Sequence, residues 1–67
     1  MRFELNNTPE EIDNQKLTVS ELLKIKNYTF KLLVIKINGV YVRKEEYETS
    51  LIKEGDQVTV LHLVSGG

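Results

Sequence analysis

Cysteine and tryptophan are absent, and proline, histidine and methionine each occur once. Without cysteine there is no disulfide framework, no thiolate metal site and no cysteine nucleophile, so any sulfur handled by this chain must be carried on another group. The single histidine, His62, has no second histidine or cysteine to complete a metal-ligand set. It reads as a strand residue near a partner surface, with no catalytic role. No cluster of acid, base and nucleophile can be assembled, which argues against an enzyme. The formal net charge is −1, and basic and acidic residues are interspersed, so no field draws the chain to nucleic acid or an anionic membrane. Lys24, Lys26, Lys31, Lys36, Arg43 and Lys44 are spread over several elements and read as a solvated surface. There is neither a signal-peptide pattern nor a run approaching the roughly 20 apolar residues of a membrane span, and a cytoplasmic location is the expectation.

What is present suffices for one small domain. The 67 residues are 40% hydrophobic and 28% charged, and a chain of this length buries about 60% of its unfolded surface on folding. Phe3 and Leu5 alternate with polar neighbours, the period of a half-buried strand, and Asn6-Asn7-Thr8-Pro9 reads as the following turn. Glu10 to Asn14 is the expected return strand, with Ile12 inward. Thr18-Val19-Ser20-Glu21 has the capping-box spacing, and Val19, Leu22, Leu23 and Lys26 then form one stripe of a helix that ends at Asn27.

Leu33, Ile35 and Ile37 form the next alternating run. It stops at Asn38-Gly39, a dipeptide suited to a two-residue hairpin turn, so Val40 to Val42 should pair back on Ile35 to Ile37. Arg43 to Ser50 is polar, with Tyr47 anchoring a short helical turn, and Glu54-Gly55-Asp56 makes the last turn. Gln57 to Val64 carries the strongest strand signal: Val58 and Val60 face the core, while Leu61 and Leu63 point away from the helix. The order β-β-α-β-β-(short helix)-β closes if the first and last strands are parallel central neighbours. This is an α+β fold of the β-grasp kind, a mixed sheet of four to five strands with one main helix on one face. Residues 1–64 form the expected β-grasp domain and residues 65–67 the expected flexible C-terminal tail.

Ile37-Asn38-Gly39 followed by Val42 and Tyr47, Glu54-Gly55-Asp56 followed by Val58 and Val60, and the terminal Gly66-Gly67 together resemble the ThiS family. These are the sulfur carriers of thiamine biosynthesis, relatives of the molybdopterin synthase small subunit and of ubiquitin. The resemblance covers nearly the whole chain. Family members often have Pro-Arg where Arg43-Lys44 stands, a tryptophan at Tyr47 and a third glycine at Ser65, differences that bear on partner fit.

The resemblance implies a ubiquitin-like fold and places the chemistry on the Gly67 carboxylate, with Ser65 and Gly66 as the tail that presents it. An ATP-dependent ThiF-type adenylyltransferase would join this carboxylate to AMP. Sulfur from a cysteine desulfurase or rhodanese-like protein would then give a thiocarboxylate, to be handed to a thiazole synthase of the ThiG type. No cofactor is bound by the chain itself, ATP being the partner's substrate. Glycine suits these positions because it has no side chain to block a narrow channel and populates φ of either sign. Four extended residues, Val64 to Gly67, reach roughly 13–14 Å. Leu61 and Leu63 are the candidate partner-binding residues. Two other functions remain open: a carrier for molybdopterin synthase or another sulfur-using pathway, and a ubiquitin-like protein modifier or inert β-grasp interaction module.

Overall fold

In the computed structural model, which describes residues 1–29 and 32–63, the chain reverses where asparagine and glycine take up positive φ. Asn6 and Asn7 lie at 51° and 65°, and Asn38 and Gly39 at 52° and 81°. Two consecutive residues of this kind make a type I′ turn, whose twist matches that of the flanking strands. The first turn joins β1 (Arg2–Leu5) to β2 (Thr8–Glu11), with Leu5 opposite Thr8. The return strand therefore starts two residues earlier than the expected Glu10, and Thr8 and Pro9 belong to it rather than to the turn. Asn7 tolerates the left-handed region, so two residues complete a reversal for which the sequence pattern had allotted four. Pro9, which has no N–H to donate, is accommodated because β2 is an edge strand. Ile12 follows β2, half-buried against the core.

The helix α1 spans Val19–Ile25, behind a two-residue strand, β3 (Leu17–Thr18). Both halves of the capping box are present: the Thr18 N–H donates to Glu21 Oε1 at 2.9 Å and the Glu21 N–H to Thr18 Oγ1 at 3.1 Å. At the other end Asn27 turns left-handed at φ 57°, and two bonds close the helix. The Asn27 N–H donates to the Lys24 carbonyl at 3.1 Å and the Tyr28 N–H to the Leu23 carbonyl at 2.8 Å. This is a Schellman motif, which satisfies carbonyls that the helix would otherwise leave without donors.

Asn38-Gly39 joins β4 (Leu33–Ile37) to β5 (Val40–Val42), and Ile37, Lys36 and Ile35 face Val40, Tyr41 and Val42, the expected pairing. A 3₁₀ turn at Lys44–Glu46 and the short β6 (Leu51–Ile52) lead to β7 (Gln57–His62). The expected eight-residue strand is two residues shorter. Val64 lies outside the described residues.

The main sheet has the order β2-β1-β7-β4-β5, and β1 runs parallel to β7 at its centre while β2, β4 and β5 make antiparallel pairs. This is the β-grasp arrangement, α+β, with α1 over one face. Leu17, Val19, Leu22 and Ile35 are wholly buried, and Ile52, Val58, Phe3 and Leu5 nearly so. Each fully buried side chain of this size contributes about 1.5–3 kcal/mol relative to exposure. Leu17 and Ile52 come together because β3 and β6 pair as a second small sheet, Leu17 opposite Ile52. Two-residue strands are too short to show periodicity, so the sequence pattern does not reveal this element.

Candidate functional site

The expected tail, Ser65, Gly66 and Gly67, lies outside the described residues, as does the preceding Val64. What the structure shows is the strand that leads to it. β7 is central, with bonded neighbours on both edges. On the β4 side the pairing runs from Ile37 opposite Val58 to Leu33 opposite His62, and one further bond follows, from the Leu63 N–H to the Leu32 carbonyl at 3.0 Å. The β1 side is shorter, with Glu4 opposite Gln57 and Leu5 opposite Val58.

Both hairpin turns add side-chain bonds to β7. Asn38 Oδ1 accepts from the Gln57 N–H at 2.9 Å, and its Nδ2 donates to Asp56 Oδ1 at 3.0 Å. Asn6 Oδ1 accepts from the Val60 N–H at 2.8 Å, and its Nδ2 donates to the Val60 carbonyl at 3.1 Å. Sequence reasoning missed these roles. Both asparagines carry the signature of a turn residue, and that signature alone explains their presence, so nothing marks their side chains as clamps on a distant strand.

Strand alternation sorts the side chains of β7. Val58 and Val60 face the core, 2% and 8% exposed, and Leu61 faces outward at 49%. Leu61 stands opposite Val34, and the neighbouring pair on the same face is Thr59 with Lys36. Leu63 is equally exposed at 49%, but β7 has ended one residue before it. It lines an open cleft together with Leu23, Tyr28, Leu32, Leu33 and Tyr47. The sequence pattern placed both leucines on the face away from the helix; Leu61 stands there opposite Val34, and Leu63 lines a cleft to which both the helix residue Leu23 and Tyr41 of β5 contribute.

Tyr47 is half-buried against the core. Burial is the main cause raising its phenol pKa above the ordinary tyrosine value, with electrostatic repulsion from Tyr41 and Glu45 adding to it. Lys26, counted among the candidate basic residues, is committed to Glu10 at 2.7 Å. Among the described residues no group of three or more His, Cys, Asp or Glu side chains could hold a metal ion, and no helix is long and apolar enough to cross a membrane.

Residues 3–67 match the ThiS family. The molybdopterin synthase sulfur carrier subunit of Drosophila erecta is 37% identical over 71 aligned positions, which cover 96% of this chain and 79% of that protein. Among solved structures, the crystal structure of the thiamine biosynthesis protein ThiS from Geobacter metallireducens superposes with a TM-score of 0.86 at 29% identity, each chain being covered in full. The solution structure of a thiamine biosynthesis protein from the same organism gives a TM-score of 0.79 at 28% identity, over all of this chain and 88% of that one.

Proposed function

The chain belongs to the ThiS family of small sulfur carrier proteins, and from that premise we propose that it carries sulfur for thiazole formation as a thiocarboxylate on Gly67. A carboxylate with an ordinary C-terminal pKa near 3.3–3.7 is an anion at neutral pH and a poor acyl donor. A ThiF-type adenylyltransferase supplies the activation: a Gly67 oxygen attacks the α-phosphorus of ATP, pyrophosphate leaves, and an acyl-adenylate forms. A persulfide on the sulfur donor then attacks the acyl carbon and expels AMP. Cleavage of the resulting acyl disulfide by a thiol leaves the thiocarboxylate. This chain has no cysteine, so both the persulfide and the thiol come from partners. The thiocarboxylate passes to a thiazole synthase.

The observation that carries this reading is the placement of β7. The strand that runs toward Ser65-Gly66-Gly67 lies between β1 and β4, and β4 accompanies it as far as His62, so the tail follows a central strand of the sheet. Outward-facing Leu61, with Val34 beside it, supplies the apolar centre for docking the activating enzyme, and Leu63 extends the contact into the cleft. A second reading keeps the chemistry and changes the acceptor to molybdopterin synthase. It is favoured by the Drosophila erecta relative, which bears that function in its name.

The test is incubation of the chain with ATP and a ThiF-type enzyme, read by intact-mass spectrometry, beside a chain lacking Gly67. Adduction of AMP to the parent alone is the expected result; equal labelling of both chains, or of neither, would overturn the proposal. Adding purified thiazole synthase or the molybdopterin synthase large subunit to the thiocarboxylated chain, and asking which one consumes it, separates the two acceptors.

A further inference from the structure

In a parallel pair, a residue facing its neighbour strand donates its N–H to one carbonyl and accepts at its own carbonyl from the N–H two residues further on. Asn6 begins this pattern on β7: its N–H donates to the Val58 carbonyl at 2.9 Å. The second half, acceptance from Val60, would come from the Asn6 carbonyl if β1 continued. It does not continue, because Asn6 takes φ 51° and the chain turns into β2. The side chain makes the missing bond instead, with Oδ1 accepting from the Val60 N–H at 2.8 Å, and Nδ2 adds a second from the opposite side of the carboxamide to the Val60 carbonyl at 3.1 Å. One planar amide thus grips both polar groups of one β7 residue across a separation of 54 positions.

From this geometry we infer that Asn6 is a positioning residue for the carrier terminus: its side chain stands in for the strand that β1 lacks, and so sets where and in what direction the C-terminal segment leaves the sheet. The inference rests on the carrier reading for its functional part. Val60 is the β7 residue that the Asn6 side chain reaches, and the Gly67 carboxylate lies seven residues beyond it. A rotation of the strand at Val60 redirects Leu61 to Leu63, which follow it directly, and reacting groups misplaced by about 1 Å can cost on the order of a hundredfold in rate. Holding Val60 through the peptide groups on both of its sides, one by its N–H and the next by its carbonyl, restrains that rotation, where a single bond would leave a pivot. The role is separable from folding, since the buried side chains of β1 and β7 are Phe3, Leu5, Val58 and Val60, and none is altered by changing Asn6.

Two variants test this in the full chain. Asn6→Gly removes the carboxamide while leaving a residue at ease with positive φ. Asn6→Asp keeps an oxygen for the Val60 N–H but has no donor for the Val60 carbonyl. Amide exchange and ¹⁵N relaxation are measured first, with Ile35 as the reference for global opening. In Asn6→Gly the Val60 amide should exchange about tenfold faster relative to Ile35, the loss expected of roughly one net hydrogen bond, and the order parameters of Leu61 to Leu63 should fall. Asn6→Asp should lie between this variant and the parent.

With ATP and a ThiF-type enzyme, Asn6→Gly should lower kcat for AMP transfer about tenfold and leave KM for the carrier within about twofold, since the Leu61 surface is unchanged; Asn6→Asp should recover part of kcat. Unchanged exchange and relaxation from Val60 to Leu63 would overturn the inference, and so would altered exchange with unaltered kcat. A parent chain that accepts no AMP would overturn the carrier reading instead, while the exchange measurement still decides whether Asn6 fixes the departure of the segment.

Discussion

The Lys26 ammonium meets the Glu10 carboxylate at 2.7 Å, with side chains 27% and 22% exposed, and so ties the C-terminal end of α1 to the edge strand β2. Ion pairs at the surface contribute about 0.2–1 kcal/mol, and partial shelter from solvent puts this one toward the upper end. Lys26→Met should lower the urea midpoint accordingly. The difference from the parent should shrink in 1 M salt, where the screening length falls to about 3 Å. Equal midpoints at low salt would show that the pair contributes nothing.

Thr18 caps α1 and also pairs with Leu51 through its backbone, and only the first role needs the hydroxyl. Thr18→Ala should therefore cost about 1 kcal/mol, which for a domain of this size is a fall in Tm of about 4–8 °C. Thr18→Ser, which keeps the oxygen, should lose much less. Equal losses in both variants would place the effect in the β-branched side chain and not in the cap.

The raised pKa of Tyr47 makes stability depend on pH at the alkaline end. The folded state holds the phenolic proton more tightly than the unfolded state, so the contribution is complete below the ordinary value of 10.0 and is lost as pH rises through the higher folded value. Tyr47→Phe removes that dependence, and its denaturation midpoint should fall less steeply above pH 10 than the parent's. Parallel curves would show that burial of Tyr47 does not control the alkaline limb.

Asn38 Nδ2 faces Asp56 Oδ1 at 3.0 Å. Asn38→Asp exchanges a donor for a second carboxylate at that distance while keeping an acceptor for the Gln57 N–H. The lost bond and the new repulsion should together cost about 1–2 kcal/mol at pH 7. Facing carboxylates raise each other's proton affinity in the folded state, so the deficit should narrow as pH falls below 5. A deficit that does not change between pH 7 and pH 4 would rule out repulsion as its cause.

Leu61 is outward and half exposed, so Leu61→Asp should fold as the parent does. With a ThiF-type enzyme it should raise KM for the carrier about tenfold or more, the loss expected when an apolar contact central to an interface is replaced by a charge. Unchanged KM would remove Leu61 from the docking surface.

How far the sequence reads depends on how far apart the interacting residues lie. The capping box spans three residues, the Asn38-Gly39 turn lies between adjacent strands, and the Val58-Val60 alternation is local. All three are written in the order of side chains. The sequence pattern starts the first return strand two residues late, because Thr8 and Pro9 look like turn residues until β2 is known to be an edge.

Composition and local order therefore determined the α+β class, the lack of thiols in these 67 residues, the position of the helix, and the glycines on which the proposed sulfur chemistry depends. Only the tertiary structure decided that Leu17 meets Ile52, that Glu10 holds Lys26, and that Asn6 grips Val60 from 54 positions away. The physical reason is that a local pattern reports what one segment prefers, whereas these contacts exist only after β1, β7 and α1 have packed around one core and brought distant polar groups within bonding distance.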